Sequence, residues 1–217
     1  MIRIILFICL SSFILHRAAE AAVYKFSIER PEMNDSTSDK VIVDSDYNLE
    51  DALQGINIPA EIKKDLVLVE VQYYSNDGKL HQGQLVISKE LRSDVAKIFE
   101  IIKKEKFPVA KVIPIVRYDW DDEKSMEDNN SSGFNYRFVA KTKKLSNHSF
   151  GKAIDINPLL NPYIRKDLHQ PEGSVYDPSR PGTITKNSFL VNEFNKLGWE
   201  WGGDWSKSKD YQHFEKP

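Results

Sequence analysis

Ser146-Asn147-His148-Ser149-Phe150-Gly151-Lys152-Ala153-Ile154-Asp155 carries an imidazole and a carboxylate seven positions apart. On an unbroken strand an odd offset turns two side chains to opposite faces. For His148 and Asp155 to meet, the chain must bend between them, and Gly151 is the residue that bends at least cost. The stretch therefore reads as an approach loop bearing His148, a bend at Gly151, and a core strand from Ala153 to Asn157 closed by Pro158.

Near the C-terminus, Asp210-Tyr211-Gln212-His213 supplies a second imidazole and a second carboxylate. His148, Asp155 and His213 together suit Zn2+, and a three-ligand set leaves the fourth tetrahedral position open, as hydrolytic sites do. Asp210 is the spare carboxylate that a proton transfer needs. Three positions separate Asp210 from His213, which places them on one side of a helical turn or of a twisted, bulged strand entry.

The pattern Ser-x-His-x-x-Gly-x-Ala-x-Asp, followed by acid-x-x-His, resembles the D-alanyl-D-alanine carboxypeptidase family of zinc peptidases. These are relatives of the vancomycin-resistance dipeptidases and of phage L-alanyl-D-glutamate endolysins. Ser146, His148, Gly151, Ala153 and Asp155 occupy all five fixed positions of the first part. Asp210 stands where the dipeptidases carry Glu, as in the endolysin-like branch. The strings at 129–137 (NNSSGFNYR), 153–158 (AIDINP) and 198–205 (GWEWGGDW) are similar to the same branch, so the resemblance covers Lys111 to Pro217. It implies an α+β fold with a small central antiparallel sheet flanked by helices, of the kind shared with hedgehog signalling domains. It implies a zinc peptidase acting on peptidoglycan stem peptides, and the domain that carries it is expected over 61–217. Asp210 would be the general base and Ser146 a substrate contact or an organiser of the His148 loop. Arg117 matches the spacing of the family arginine that stabilises the oxyanion, and Arg137 is its rival for that role or for a substrate carboxylate. The alternative of another class is a non-catalytic zinc or cell-wall binding module, for which Asp210 would be superfluous. A lytic factor aimed at another cell would carry identical chemistry.

Length and composition, 217 residues with 41% hydrophobic and 29% charged, fit one packed domain with an appended segment and exclude bulk disorder. Arg3, the apolar run Ile4 to Leu15 and Ala19-Glu20-Ala21 read as a signal peptide over 1–21, with an uncleaved anchor as the alternative. Export, periplasmic or secreted, is expected, with no stable membrane insertion after cleavage. Cleavage would remove Cys9, the only cysteine, so no disulfide or Cys-ligated metal is expected. It would also take the net charge from −2 to −3, which with the lack of long basic runs argues against nucleic acid as a partner. A monomer is expected.

Residues 22–60 read as an extended, loosely packed lead-in. Leu66 to Tyr74 and Leu80 to Ile87, joined through Asp77-Gly78, form a predicted hairpin. Ser88 then precedes a helix with Leu91, Val95, Ile98, Phe99 and Ile102 on one stripe, stopped by Pro108. Val109 to Arg117 is predicted as a strand leading into a solvated acidic loop, Asp119 to Glu123. The stretch from Asn161 to Thr185 reads as a loop, and Phe189, Val191, Phe194 and Leu197 as a helix ending at Gly198. His81 and His169 are read as structural or solvent-facing. Trp199, Trp201 and Trp205 either pack the core or line a cleft, and Trp201 is the candidate substrate contact.

Overall fold

In the computed structural model, residues 40–217 apart from Asp167 are described; the expected signal peptide, Cys9 and residues 22–39 lie outside the described residues. In chain order the elements are β1 (Ile42–Val43), α1 (Leu49–Ala52), α2 (Ala60–Lys63), β2 (Leu66–Tyr74), β3 (Leu80–Ser88), α3 (Arg92–Lys104), β4 (Lys111–Val112), α4 (Asp122–Glu127), β5 (Asn130–Ser131), β6 (Ala153–Asp155), β7 (Tyr163–Arg165), β8 (Leu168–Gln170), α5 (Phe189–Lys196), β9 (Glu200–Trp201), β10 (Lys209–Asp210) and β11 (His213–Glu215).

The β2/β3 hairpin pairs Leu66 with Ser88 and Tyr74 with Leu80, and Gly78 takes φ +75° in its turn. Because side chains alternate along a strand, the hairpin has two apolar faces. Val69, Val71, Tyr73, Leu85 and Ile87 enter one core with the α3 stripe Val95, Ile98, Phe99 and Ile102. Leu66 and Val86 face the other way, onto Ala52, Leu53, Ile58, Ile62 and Phe134. Complete burial of one such side chain is worth about 1.5–3 kcal/mol. Both layers are therefore integral to the domain.

That second layer corrects the expected lead-in. The part of 22–60 that is described, from Lys40 onward, is packed: β1 runs parallel to β3, and Asn48 caps α1. The Asp44 carboxylate accepts from the Tyr73 hydroxyl and lies 2.9 Å from His81 Nδ1, so His81 has a structural role. No boundary separates residue 60 from 61. The apolar residues between the polar ones, spaced too irregularly to show a period, supply the layer.

The architecture is mixed α and β, built of small sheets and short helices, and is compatible with the expected α+β class. The hairpin and β1 form one sheet, and β6-β11-β9, β10-β7-β8 and the parallel pair β4-β5 form the others. Three further expectations change. Of the strand expected over Val109 to Arg117 only Lys111–Val112 forms, and Ile115–Tyr118 is a 3-10 turn. The loop from Asn161 holds the hairpin β7/β8, with His169 exposed on β8. The acidic loop is organised as a cap, the Asp121 side chain accepting from the Glu123 and Lys124 amides at the start of α4. Helix α5 ends as expected, with Gly198 at φ +77°. Among the described residues no helix is long and apolar enough to cross a membrane.

The bend at Gly151 is the joint between the two halves. Its φ is +63°, its carbonyl accepts from the Ser88 amide, and a Cβ there would lie 2.4 Å from Ser88 N. Gly151→Ala therefore meets both a left-handed backbone and a backbone clash that no rotamer relieves. A loss of about 2 kcal/mol or more is expected from these two costs, read as a lowered denaturant midpoint at unchanged slope.

Candidate metal centre

Pairing of β6 with β11 sets His213 directly opposite Asp155 and Phe214 opposite Ile154. Cross-strand partners share a face, so Asp155 and His213 meet on one side while Ile154 and Phe214 enter the core on the other. His148 arrives from the 3-10 turn Asn147–Phe150, whose C-cap is Gly151 in the left-handed region. The predicted bend is thus present, and it brings an odd-offset pair to one place.

The geometry is tight. His148 Nε2 lies 3.1 Å from Asp155 Oδ2 and 3.2 Å from His213 Nδ1, and His213 Nδ1 lies 3.0 Å from Asp155 Oδ1. Donors around a tetrahedral zinc stand about 3.3 Å apart, given zinc to nitrogen distances of about 2.0–2.1 Å. His148, Asp155 and His213 are all buried and form a group able to hold a metal ion. His148 Nδ1 is 2.5 Å from the Gly133 carbonyl. A carbonyl only accepts, so Nδ1 carries a proton toward Gly133 and Nε2 is the nitrogen left to bind an ion at the centre.

The titrations follow from this crowding. Burial alone would raise the Asp155 carboxyl, but the adjoining His148 and His213 imidazoles outweigh it and hold Asp155 far below the usual range. For His213, burial opposes the charged form, yet hydrogen bonds to Asp155 and Glu215 raise it to about 10. Asp210 behaves oppositely to Asp155: burial pushes it up to about 7, with the Asp155 charge adding and the charges of His213 and Arg137 opposing. Asp210 is half-buried as a residue, but its Oδ1 is out of reach of solvent and has no hydrogen-bond partner in the protein.

Asp210 and His213 sit on separate short strands rather than on one turn or bulge. Asp210 in β10 pairs with Tyr163 of β7, whereas His213 pairs into the other sheet. Gly202 lets the strands converge. A Cβ on it would lie 2.8 Å from Asp210 Cβ and 3.2 Å from His213 Cβ, so only glycine fits.

Of the two arginines, Arg137 is the one whose charge acts on Asp210. Its guanidinium is 3.1 Å from Asp122 Oδ2, and Asn135 Nδ2 donates to the other oxygen of that carboxylate. Ser149 Oγ accepts from the Arg137 amide, tying it to the His148 turn. Arg117, expected at a strand end, is exposed on the 3-10 turn, where its charge acts on Tyr118 and Asp128. Of the two roles expected for Ser146, the geometry fits the organiser of the His148 loop. Ser146 is buried, and its hydroxyl caps the turn by accepting from the His148 amide at 3.3 Å. Trp201 is buried in the core with its indole N-H donated to the Tyr211 carbonyl, so it has no face for substrate. Trp205, half-buried with its ring 5.3 Å from that of His213, is the tryptophan at the centre.

Sequence reading missed Asp122, Ser149 and Glu215. Glu215 alone had a signal, since two positions beyond His213 on a strand is the same face.

A bound cation must displace the proton from His213. Adding zinc to the metal-free protein near pH 7 should release about one proton per ion, and affinity should weaken as pH falls. Calorimetry in buffers of different ionisation enthalpy measures this; uptake without proton release would remove His213 from the ligand set.

Comparison with known proteins agrees with the motif. No curated protein and no solved structure matches the chain. Residues 140–216, which contain His148, Asp155, Asp210 and His213, match the family model described as D-alanyl-D-alanine carboxypeptidase, a peptidase family.

Proposed function

We propose that the protein is an exported zinc metallopeptidase that hydrolyses peptidoglycan stem peptides, either removing a terminal D-Ala or cutting the L-Ala to D-Glu bond. The observation that carries this reading is the buried His148, Asp155 and His213 triangle with the orphaned Asp210 Oδ1 beside it. The family match over residues 140–216 supports the peptide bond as the target, and the apolar N-terminal run supports export.

His148 Nε2, an Asp155 oxygen and His213 Nδ1 would hold the ion, which when bound supplies Lewis acidity toward a carbonyl and a water. Asp210 Oδ1 takes the proton from the attacking water and returns it to the leaving amine. A carboxyl pushed up to about 7 suits both halves of that exchange, since it accepts and gives up a proton near neutrality. Arg137, braced by Asp122, presents its remaining N-H groups to a substrate carboxylate or to the developing oxyanion. Trp205 supplies an apolar wall next to His213.

Mass spectrometry of purified muropeptides incubated with the zinc-loaded protein should show loss of D-Ala or cleavage after L-Ala. Asp210→Asn should keep zinc and lose about 10²–10⁴-fold in turnover. Because the base must be ionised, activity of the unmodified protein should fall as pH drops, with its acidic limb at or below about pH 7, a bound cation lowering the Asp210 value further. A metal-loaded, folded protein that yields no product would favour the binding module. For Arg137→Lys, a rise in KM at constant kcat is expected if it binds a carboxylate, and a fall in kcat if it meets the oxyanion; no change in either removes it from the site.

A further inference from the structure

His213 has two ring nitrogens, and only Nδ1 faces the donor triangle. The other, Nε2, lies 3.1 Å from Glu215 Oε2, and the same oxygen accepts from Asn147 Nδ2 at 2.7 Å. Glu215 and Asn147 are 68 residues apart and sit on the two segments that carry the imidazoles. Glu215 is on β11 with His213, and Asn147 is the immediate neighbour of His148 in the 3-10 turn. The strand explains how Glu215 reaches back. Period-two geometry puts it on the His213 face, and its cross-strand partner is Ala153, whose methyl leaves room for the carboxylate.

From this geometry we infer that Glu215, held by Asn147, is the positioning residue for His213: it fixes the ring with the proton on Nε2 and the Nδ1 lone pair toward the metal. The inference rests on the proposed metal-binding role of His148, Asp155 and His213. A carboxylate accepts only, so it selects one tautomer of the neutral ring and prevents the ring from rotating. His148 is held by the equivalent device, with the Gly133 carbonyl on its Nδ1. The two rings therefore offer opposite nitrogens to one point, each fixed from behind. Asn147 adds what a lone carboxylate would lack, since its amide locks the Glu215 side chain and couples the turn to β11. Glu215 is partly exposed, with a side chain 22% accessible. Without that second contact it could swing into solvent.

The test is zinc affinity by chelator competition in the full chain, beside the absorption spectrum of the cobalt-substituted protein. Glu215→Ala should weaken zinc binding about 10–100-fold and alter the cobalt ligand-field bands. Glu215→Gln, which keeps an acceptor for Nε2-H, should recover most of the affinity and the original spectrum. Asn147→Ala should weaken binding less than Glu215→Ala does. The double variant should match Glu215→Ala alone, because Asn147 acts through the carboxylate. Circular dichroism checks folding, and if Glu215→Ala does not fold, Glu215→Gln and Asn147→Ala carry the comparison. Wild-type affinity and spectrum in folded Glu215→Ala, or in Asn147→Ala where Glu215→Ala does not fold, would overturn the positioning role while leaving the metal site intact. An unmodified chain that binds no zinc at all would instead sink the metal reading, and this inference with it.

Discussion

One strand register holds the site together. With His213 opposite Asp155, these two candidate ligands share a face, and Ile154 and Phe214 share the other. Phe214 stacks on Phe194 of α5 at 3.9 Å, and both are fully buried. A slip of one residue would send the ligands into the apolar core and the core residues to the metal side. Exposing Ile154 and Phe214 in that exchange would cost about 1.5–3 kcal/mol each, besides burying charged groups in the core. Core packing thus fixes the ligand geometry before any ion arrives.

The same burial creates the chemical asymmetry of the two carboxylates. Asp155 is surrounded by imidazoles and stays ionised, which suits a ligand. Asp210 has lost its water without gaining a hydrogen bond at Oδ1, so it holds its proton up to about pH 7. An unpartnered buried oxygen costs stability in an ordinary core. Its place beside three side chains able to hold a metal ion is consistent with an oxygen that acts on something not part of the protein.

Much of this was legible because the informative residues are local. The odd offset from His148 to Asp155 demanded a bend, and Gly151 was the only residue between them suited to it. The β2/β3 hairpin, the α3 stripe and the end of α5 at Gly198 each follow from a short period or one turn signal. What stayed hidden depends on distant pairing. Residues 40–60 show no period, since their apolar side chains contact the back of a hairpin through loops and single turns. Arg117 was misplaced because a run of strand formers from Val109 meets Pro114, which has no N-H to extend a ladder. Trp201 and Trp205 are equally plausible in sequence, and only the β9/β11 pairing decides which one is turned into the core.

The stretch that matches the peptidase family does not account for its own geometry. Residues 140–216 contain the three candidate ligands and Asp210, yet the segments that orient them are anchored outside it. The Ser88 amide bonds Gly151, the Val86 carbonyl bonds the Phe134 amide, and the Gly133 carbonyl bonds His148 Nδ1. Asp122, at the start of α4, braces Arg137. The end of β3 is therefore the platform on which the His148 turn and the Gly133 to Arg137 segment both rest. That strand in turn is held flat between α3 on one face and the layer from α1 and α2 on the other. The motif supplies the groups proposed to react, whereas the N-terminal half supplies the rigidity that a preorganised site requires.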